Sequence, residues 1–402
     1  MLHRSRLLLL LAVLAVSCSG NGGDSVVDES IAVEPDHIEA VAGVGNYSVE
    51  LKANCSWNAS VSDEGGNEVS WAVPNRTAGK GDASVTVRVL KNPLPAQRTA
   101  KVVFSSQGGK RATLTIVQDG AEDSGVTSAD IRVGTFNLRI STLDSESGDN
   151  GWSKRRSRLM SSIRDNDFDI FGMNETDETI RTALAEEFAD TYTFWYFSPY
   201  RQSGVATDKP AQGIAFKTAK FVISDKNFFW ASDTPDQQSL NDKGNTAGAT
   251  PHSRGACCAM FTHKASGAKF FFMVNHGILN DDDNAKYAYV YIDREKMYNP
   301  DGLPSIFVGD MNCEPSEPAS VTWKTWWDDV YELLPSTARS GPAKTFSAYS
   351  GTISRRIDFI YVRGDITPLR YRCNDTMYGG FAPSDHFPIW ADVTIPAVAS
   401  IP

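Results

Sequence analysis

Six short polar sequences, each attached to an apolar run, carry the side chains of this chain that could do chemistry: TFNLR (135–139), MNET (173–176), VNHG (274–277), GDMN (309–312), RIDFIYV (356–362) and SDHFP (384–388). Each sets carboxylate, amide or imidazole groups beside a segment that reads as a buried strand, which is how an oxygen-ligand metal site is built on a rigid sheet. Asn137, Glu175, Asp310, Asn312 and Asp385 are oxygen donors with no soft ligand among them, so the set suits Mg²⁺ or Mn²⁺ better than zinc or copper. Phosphate-ester hydrolysis needs a cation at the phosphoryl oxygens, a base for water and help for the departing oxygen, and the six sequences hold candidates for all three. Asp310 and Asn312 are two apart and would face the same way on an extended strand end, although Asp-x-Asn at a strand end is also a common turn. Glu175, two residues after the apolar FDIFGM, is an odd place to leave an unpaired carboxylate. His276 and His386 are two of the four histidines beyond the N-terminal region. Alone, each is more often structural than catalytic, but Asp358 at the start of an apolar strand could orient and charge-stabilise His386.

The elements that must position these groups are a mixture of strands and helices. The apolar run 131–138 is followed by a helix-like stretch that Ser153 could cap, with Leu159 and Ile163 four apart on one face, and then by the strand FDIFGM (168–173). Further strands are expected at KFFFMVN (269–275), SIFVGDM (305–311) and IDFIYV (357–362), and helices near 178–188 and 285–298. Residues 130–396 therefore read as one α/β domain. Residues 31–119 differ: VTVRVL (85–90), AKVVFSS (100–106) and ATLTIVQ (112–118) alternate apolar and polar, separated by Gly, Asn and Pro, which predicts an all-β domain. The polar, small stretch 120–129 marks a linker between the two.

The N-terminus reads as an export signal over residues 1–17, because His3, Arg4 and Arg6 precede the apolar run Leu7–Val16, a run too short to span a bilayer. Residues 18–30, polar and Gly-rich, read as a tether. Five cysteines follow Cys18 with no Cys-x-x-Cys or Cys/His ligand spacing, so neither a disulfide framework nor a structural zinc site is expected. Neighbouring Cys257 and Cys258 would point to opposite faces of a strand as packed thiols. The formal charge is −10, and from Asp130 onward 28 Lys and Arg face 35 Asp and Glu, a net of −7, which argues against a basic clamp on long duplex DNA. Arg139, Arg254, Arg355 and Arg356 lie in or near the polar sequences and could grip a phosphate, with ion pairing as the default role. The cluster Tyr192, Phe194, Trp195, Tyr196, Phe197 and Tyr200, and Trp323, Trp326 and Trp327, are expected to be mostly core.

Together the six sequences resemble the endonuclease/exonuclease/phosphatase superfamily, which includes deoxyribonuclease I, inositol polyphosphate 5-phosphatases, neutral sphingomyelinases and deadenylases; the resemblance spans about residues 130–396. It implies a four-layer α/β sandwich and a metal-dependent phosphoesterase using Mg²⁺ or Mn²⁺ on a phosphate-ester substrate. By the same resemblance Asn137 and Glu175 match metal-binding positions, Asp310 and Asn312 the pair that positions water or contacts phosphate, and His276 the histidine at the phosphoryl oxygens. Asp358 and His386 match the dyad that polarises the nucleophile, and Asp385 the adjacent carboxylate that can reach the metal. Two departures stand out: Ala211-Gln212-Gly213 where relatives commonly carry an acidic residue, and NHGILND in place of NTHLD. If Gln212 faced His276, its amide would support the charged imidazole less than a carboxylate. Residues 31–119, with Trp57, Trp71 and IVQDG, resemble the BACON domain, an immunoglobulin-like sandwich; this implies glycan contact, or a spacer, with both tryptophans in the core. Ala15-Val16-Ser17-Cys18 resembles a bacterial lipobox, implying lipidation at Cys18 and a membrane anchor. The rival reading is a glycan-binding surface lipoprotein whose second domain has lost catalysis.

Overall fold

The computed structural model describes residues 28–92, 94, 96–120, 127–198, 211–249 and 251–397. The export signal, the lipobox, most of the tether, linker residues 121–126 and Tyr200 lie outside the described residues. Two compact units are present, one carrying Val44–Leu90 and Thr99–Val117, the other Gln118–Pro402.

The first unit is built from strands β1 (Ile31–Glu34), β2 (His37–Ala40), β3 (Gly45–Ala53), β4 (Ser56–Ser62), β5 (Ala72–Pro74), β6 (Ala78–Lys80), β7 (Ala83–Val89), β8 (Arg98–Ser106) and β9 (Arg111–Gln118). They form a sheet in the order β1-β3-β7-β5 and another in the order β2-β9-β8-β4-β6. The alternation seen in the sequence is the alternation of burial: Val85, Val87 and Val89 of β7, with Ala100, Val102 and Phe104 of β8, fill the space between the sheets. Trp57 is fully buried, edge-on to Phe104 at 5.8 Å, with its indole N–H donating to the carbonyl of Gly81 at 3.0 Å. Trp71 packs against the same core while half-buried.

The second unit contains β10 (Ser128–Asn137), α1 (Trp152–Asn166), β11 (Ile170–Thr176), α2 (Glu178–Phe188), β12 (Tyr192–Phe197), β13 (Ala211–Lys217), β14 (Phe221–Trp230), β15 (Gly255–His263), β16 (Lys269–His276), α3 (Asp281–Tyr298), β17 (Ser305–Asp310), α4 (Pro318–Trp323), β18 (Asp328–Asp329), α5 (Val330–Leu333), β19 (Arg339–Ser340), β20 (Asp358–Arg363), β21 (Thr367–Cys373) and β22 (Ile389–Pro396). Seven strands form one sheet, β12-β13-β11-β10-β22-β21-β19, and six form the other, β14-β15-β16-β17-β20-β18. Ile131, Val133, Phe270, Phe272, Val274, Ile306, Val308, Ile360 and Val362 meet between them. The intervening residues face outward: Phe136, Phe171 and Met173 pack under α1 and α2, and Phe271, Met273, Phe307 and Tyr361 pack under α3 and α4. The result is the expected four-layer sandwich, in which both faces of each central strand are dry; burying each such side chain contributes about 1.5–3 kcal/mol. Cys257 and Cys258 do face opposite layers, and the five described cysteines are free and buried.

One helix start differs from expectation. Ser153 lies inside α1 and caps nothing; the side chain of Glu146 accepts instead from the N–H groups of Trp152 (2.7 Å) and Ser153 (3.1 Å). A carboxylate reaching back from the loop is the better acceptor for the positive end of a helix. Of the aromatic cluster, Tyr192 and Phe197 are buried, while Phe194, Trp195 and Tyr196 are half-buried against the core. Trp323 and Trp327 are fully buried, with Trp326 packed beside them.

Next to the end of β17 the adjacent strand β16 of the same sheet leaves no room for a side chain. Gly309 has φ 146°, and a Cβ there would lie 2.0 Å from the carbonyl oxygen of Asn275 on β16. Gly309→Ala should therefore destabilise the second unit by on the order of 1–3 kcal/mol, read as a lower midpoint in equilibrium urea unfolding; an unchanged midpoint would contradict this packing.

Candidate active site

The inward-facing parity of the central strands places the polar sequences. Along β10, β16, β17 and β20 the residues that fill the inter-sheet core alternate in step with Asn137, His276, Asp310 and Asp358, so the apolar core ends in a polar layer. Asn174 of β11 joins it: its amide donates to the carbonyl of Asn275 at 2.8 Å, and its oxygen accepts from the N–H of Asp310 at 2.9 Å, across the sheets. Continued alternation would turn Glu175 outward beneath the helices with Phe171 and Met173. A register shift in β11 between Met173 and Thr176 and a left-handed φ of 60° at Glu175 re-aim it into the site. That resolves the odd carboxylate.

Asp310 is the centre of the layer. Its Oδ2 accepts from the amide of Asn137 at 3.0 Å and lies 3.6 Å from Nε2 of both His276 and His386; its Oδ1 accepts from the N–H of Asn312 at 3.0 Å. The same Asn137 amide donates to Oε1 of Glu175 at 3.0 Å, which stands 3.9 Å from His276. His386 Nδ1 and Oδ2 of Asp358 are 2.8 Å apart, and Thr345 donates to that same oxygen at 2.6 Å. Oδ1 of Asp358 has no hydrogen-bond partner among the described residues. Asp385 pairs with Arg139 at 3.2 Å, and Arg139 also pairs with Asp144. Every sequence-selected site residue is thus in one cluster, with Asn312 at its edge.

Asn312 is a correction. Strand β17 ends at Asp310, and Asn312 turns out of it with φ 51°, so the two side chains do not project together from an extended strand. Asp310 accepting from the Asn312 N–H is an Asx turn, and the Asn312 amide is spent on the carbonyl of Gly277 at 3.0 Å. Gln212 is a second correction: its amide donates to the carbonyls of Gly255 (2.5 Å) and Val274 (3.3 Å), so its N–H groups serve backbone and not His276.

Burial and neighbouring charge divide the titratable groups. Burial, reinforced by Asp358 and opposed by His386, lifts the Asp310 carboxyl to about 6. Burial also raises Asp385, with Glu175 adding to it and His386 opposing. Although burial works against its charge, His386 is pushed up to about 10 by Asp358 and Asp310. His276 goes the other way, held neutral first by burial and then by Arg254 and His386. Its contacts of 3.6–3.9 Å to Asp310 and Glu175 are too long for hydrogen bonds, so they are polar approaches around a shared space. Four carboxylates crowd this layer, two of them raised, and a bound cation would relieve that repulsion; the hard oxygen donors fit Mg²⁺ or Mn²⁺. Asp310, Asp358 and His386 offer ligand atoms within 4.8 Å of one another, although Nδ1 of His386 and Oδ2 of Asp358 are already bonded to each other at 2.8 Å.

The remaining arginines are paired: Arg254 with Asp242, Arg355 with Glu314, Arg356 with Asp329. Sequence reading missed four supporting residues. Asn174 and Thr345 are described above; Asp242 accepts from the N–H groups of Leu279 and Asn280 and so pins the loop after His276; Arg155, fully buried, donates to the carbonyls of Leu138 and Arg139. A buried Arg in a helix that offers it no carboxylate is a signal of this kind, but the sequence does not say which carbonyls it meets.

Comparison with known proteins agrees with this architecture. The model of the Endonuclease/Exonuclease/phosphatase family matches residues 134–386, and that of BACON, described as a putative N-terminal binding domain, matches 60–119. A Bacteroides thetaiotaomicron protein of the endonuclease/exonuclease/phosphatase family is 23% identical, with TM-score 0.59, over 67% of this chain and 96% of that one. A mannosyl-6-phosphatase from the same organism is 24% identical, with TM-score 0.58, over 65% and 99%. D. rerio TDP2, solved with a single-stranded DNA product, is 19% identical, with TM-score 0.50, over 66% and 99%. No curated protein matches the sequence.

Replacing Asn174 by Ala would strand a buried N–H and a buried carbonyl on the opposing sheet. Asn174→Ala should lower unfolding free energy by about 2–4 kcal/mol, measured by urea denaturation, and a loss below 0.5 kcal/mol would show that the cross-sheet bonds do not hold the layer together.

Proposed function

This chain belongs to the endonuclease/exonuclease/phosphatase family, and from that membership we propose that its second unit hydrolyses a phosphate ester by attack of water, with Mg²⁺ or Mn²⁺ as cofactor. The observation that carries the proposal is the buried carboxylate of Asp310, 3.6 Å from Nε2 of two imidazoles, one of which is held by Asp358 through its Nδ1.

Each residue has a role that follows from its surroundings. Asp358 holds the His386 ring by its Nδ1 and keeps it protonated, so Nε2 of His386 donates to charge that develops on the phosphoryl group. An imidazolium cannot take a proton from water. Asp310, lifted to about 6, is the group nearest the working pH and accepts that proton. Neutral His276 donates a hydrogen bond to a phosphoryl oxygen or the leaving oxygen, and Arg139, held charged by Asp144 and Asp385 against burial, steadies the anion. Glu175, with Asn137 and Asp385 beside it, would hold the cation, which when bound neutralises the phosphoryl oxygens and lowers the pKa of water. Asn312 shapes the turn at Asp310.

The structural neighbours include a mannosyl-6-phosphatase and a protein solved with a single-stranded DNA product, and neither likeness fixes a substrate for this chain. Export, a lipid anchor at Cys18 and glycan contact through the BACON domain are part of the same proposal; they rest on residues 1–30 and on the family of the first unit. Together they describe a hydrolase tethered at a bacterial membrane, reached by substrates outside the cytoplasm.

Asp310→Ala and His386→Ala should each cut kcat by roughly 10²–10⁴-fold with the fold retained by circular dichroism; near wild-type turnover by both would remove the assignment. Activity should vanish with chelator and return on adding Mg²⁺ or Mn²⁺. Its pH profile should rise as Asp310 loses its proton near pH 6 and fall as His386 loses its proton towards pH 10. Asp310→Asn should abolish the acid limb, and a residual activity with an unchanged limb would assign it to another group.

A further inference from the structure

Beside the polar layer lies a cleft of about 570 Å³, within the roughly 300–1,000 Å³ of ligand pockets. It is joined to the site through backbone: Ser347 donates from both its N–H (2.8 Å) and its hydroxyl (3.1 Å) to the carbonyl of Asp385, and Phe387, on the cleft wall, follows His386. Tyr349 spans the two. Its ring lines the cleft, while its hydroxyl is buried without a hydrogen-bond partner among the described residues, in the field of Arg155, Asp385, Asp144 and Arg139. We propose that this cleft receives the alcohol half of the phosphate ester, and that the alcohol is a sugar ring. The proposal rests on the phosphoesterase reading and adds the substrate class to it.

The wall chemistry favours a neutral, hydroxyl-rich group. Asp149, Asn150 and Asp375 supply acceptors and an amide, Tyr349, Phe381 and Phe387 supply aromatic surface, and among the described residues no Lys or Arg lines the cleft. A polyanionic nucleic-acid strand would meet two carboxylates and no cation there. A sugar instead presents hydroxyls to carboxylates and an apolar C–H face to aromatic rings, as binding sites of mixed polarity require.

One wall is also built in advance. Phe381 is 42% exposed, unusual for so large an apolar ring, yet it is not loose. Gly379 and Gly380, with φ 62° and 87°, make the tight turn that closes a hairpin in which Tyr378 and Phe381 exchange backbone hydrogen bonds of 2.8 and 3.2 Å. Tyr378 is tied to Asp165 through its hydroxyl at 2.8 Å. Behind the Phe381 ring, 5.2 Å from its centre, stands the guanidinium of the buried Arg158, which also donates to the carbonyl of Asp149 at 2.5 Å. Arg158 thus fixes both the aromatic platform and the acidic wall, and holding them in place lowers the ordering cost of binding. Lys154 approaches Asp149 only loosely, at 3.5 Å on the surface.

Steady-state hydrolysis by the full chain with Mg²⁺ or Mn²⁺ tests this on a hexose 6-phosphate, on phosphocholine, whose cation could also suit an acidic aromatic cleft, and on acetyl phosphate, whose acyl group is too small to reach the cleft. The hexose phosphate should have the highest kcat/KM. Phe381→Ala and Asp375→Asn should each raise its KM about tenfold, with kcat within about twofold and acetyl phosphate unaffected, as loss of binding away from the reacting atoms requires. A preference for phosphocholine, or a hexose-phosphate KM unchanged in both variants, would overturn the proposal. If wild type turns over none of the three, hydrolysis of bis(p-nitrophenyl) phosphate decides the hydrolase reading, and calorimetric titration of the hexose phosphate decides the cleft separately: binding weakened by both variants supports it, and no binding, or binding that both variants leave unchanged, refutes it.

Discussion

A carboxylate cannot be buried between two sheets unless donors surround it, and Asp310 is where this protein meets that requirement. The second unit is a sandwich whose interior is apolar along most of its length. At one end the interior turns polar, and the change is possible because the amide of Asn137 reaches Asp310 from the opposite sheet while the N–H of Asp310 reaches back to Asn174. These bonds register the two sheets against each other, and the geometry of His276, Glu175 and His386 around Asp310 follows from that register. Remove the donors and the charge would have no reason to stay.

Local backbone conformations complete the arrangement. Arg139, Glu175 and Asn312 all adopt left-handed φ values between 51° and 60°, an uncommon state for residues with side chains. Each sits just where a strand bulges or ends and where a side chain has to be turned towards the site. Their strain is held by specific contacts: Arg139 between Asp144 and Asp385, Glu175 against Asn137 and the Ile140 N–H, and Asn312 against Gly277. Clustering of such conformations at one place is typical of sites where geometry has been bought with local stability.

Much of this was legible in the sequence, and what was not has a physical explanation. The strands KFFFMVN, SIFVGDM and IDFIYV and the helix 178–188 stand where their periodicity puts them, because long apolar runs and amphipathic repeats are decided locally. The polar residues at the strand ends were readable for the same reason, since parity carries from the core into the site. Asn174 and Thr345 were missed because their importance lies in partners 136 and 13 residues away, which no spacing encodes. The turn at Asn312 stood in the sequence as the alternative to an extended strand end, and the backbone adopts it; the bulge at Glu175 was missed because strand alternation was carried one residue too far. Gln212 was raised only as a conditional partner of His276, and the backbone carbonyls of Gly255 and Val274 take its amide N–H groups.

In the proposed mechanism a divided pair of histidines, one neutral and one charged, serves a single buried carboxylate that takes a proton from water. Its central claim is that water attacks phosphorus. Hydrolysis of a phosphate ester by the full chain in ¹⁸O-enriched water, with the products analysed by mass spectrometry, tests this directly. One labelled oxygen is expected in each phosphoryl product and none in the released alcohol; label in the alcohol, or no phosphoryl product with either Mg²⁺ or Mn²⁺, would contradict attack of water at phosphorus.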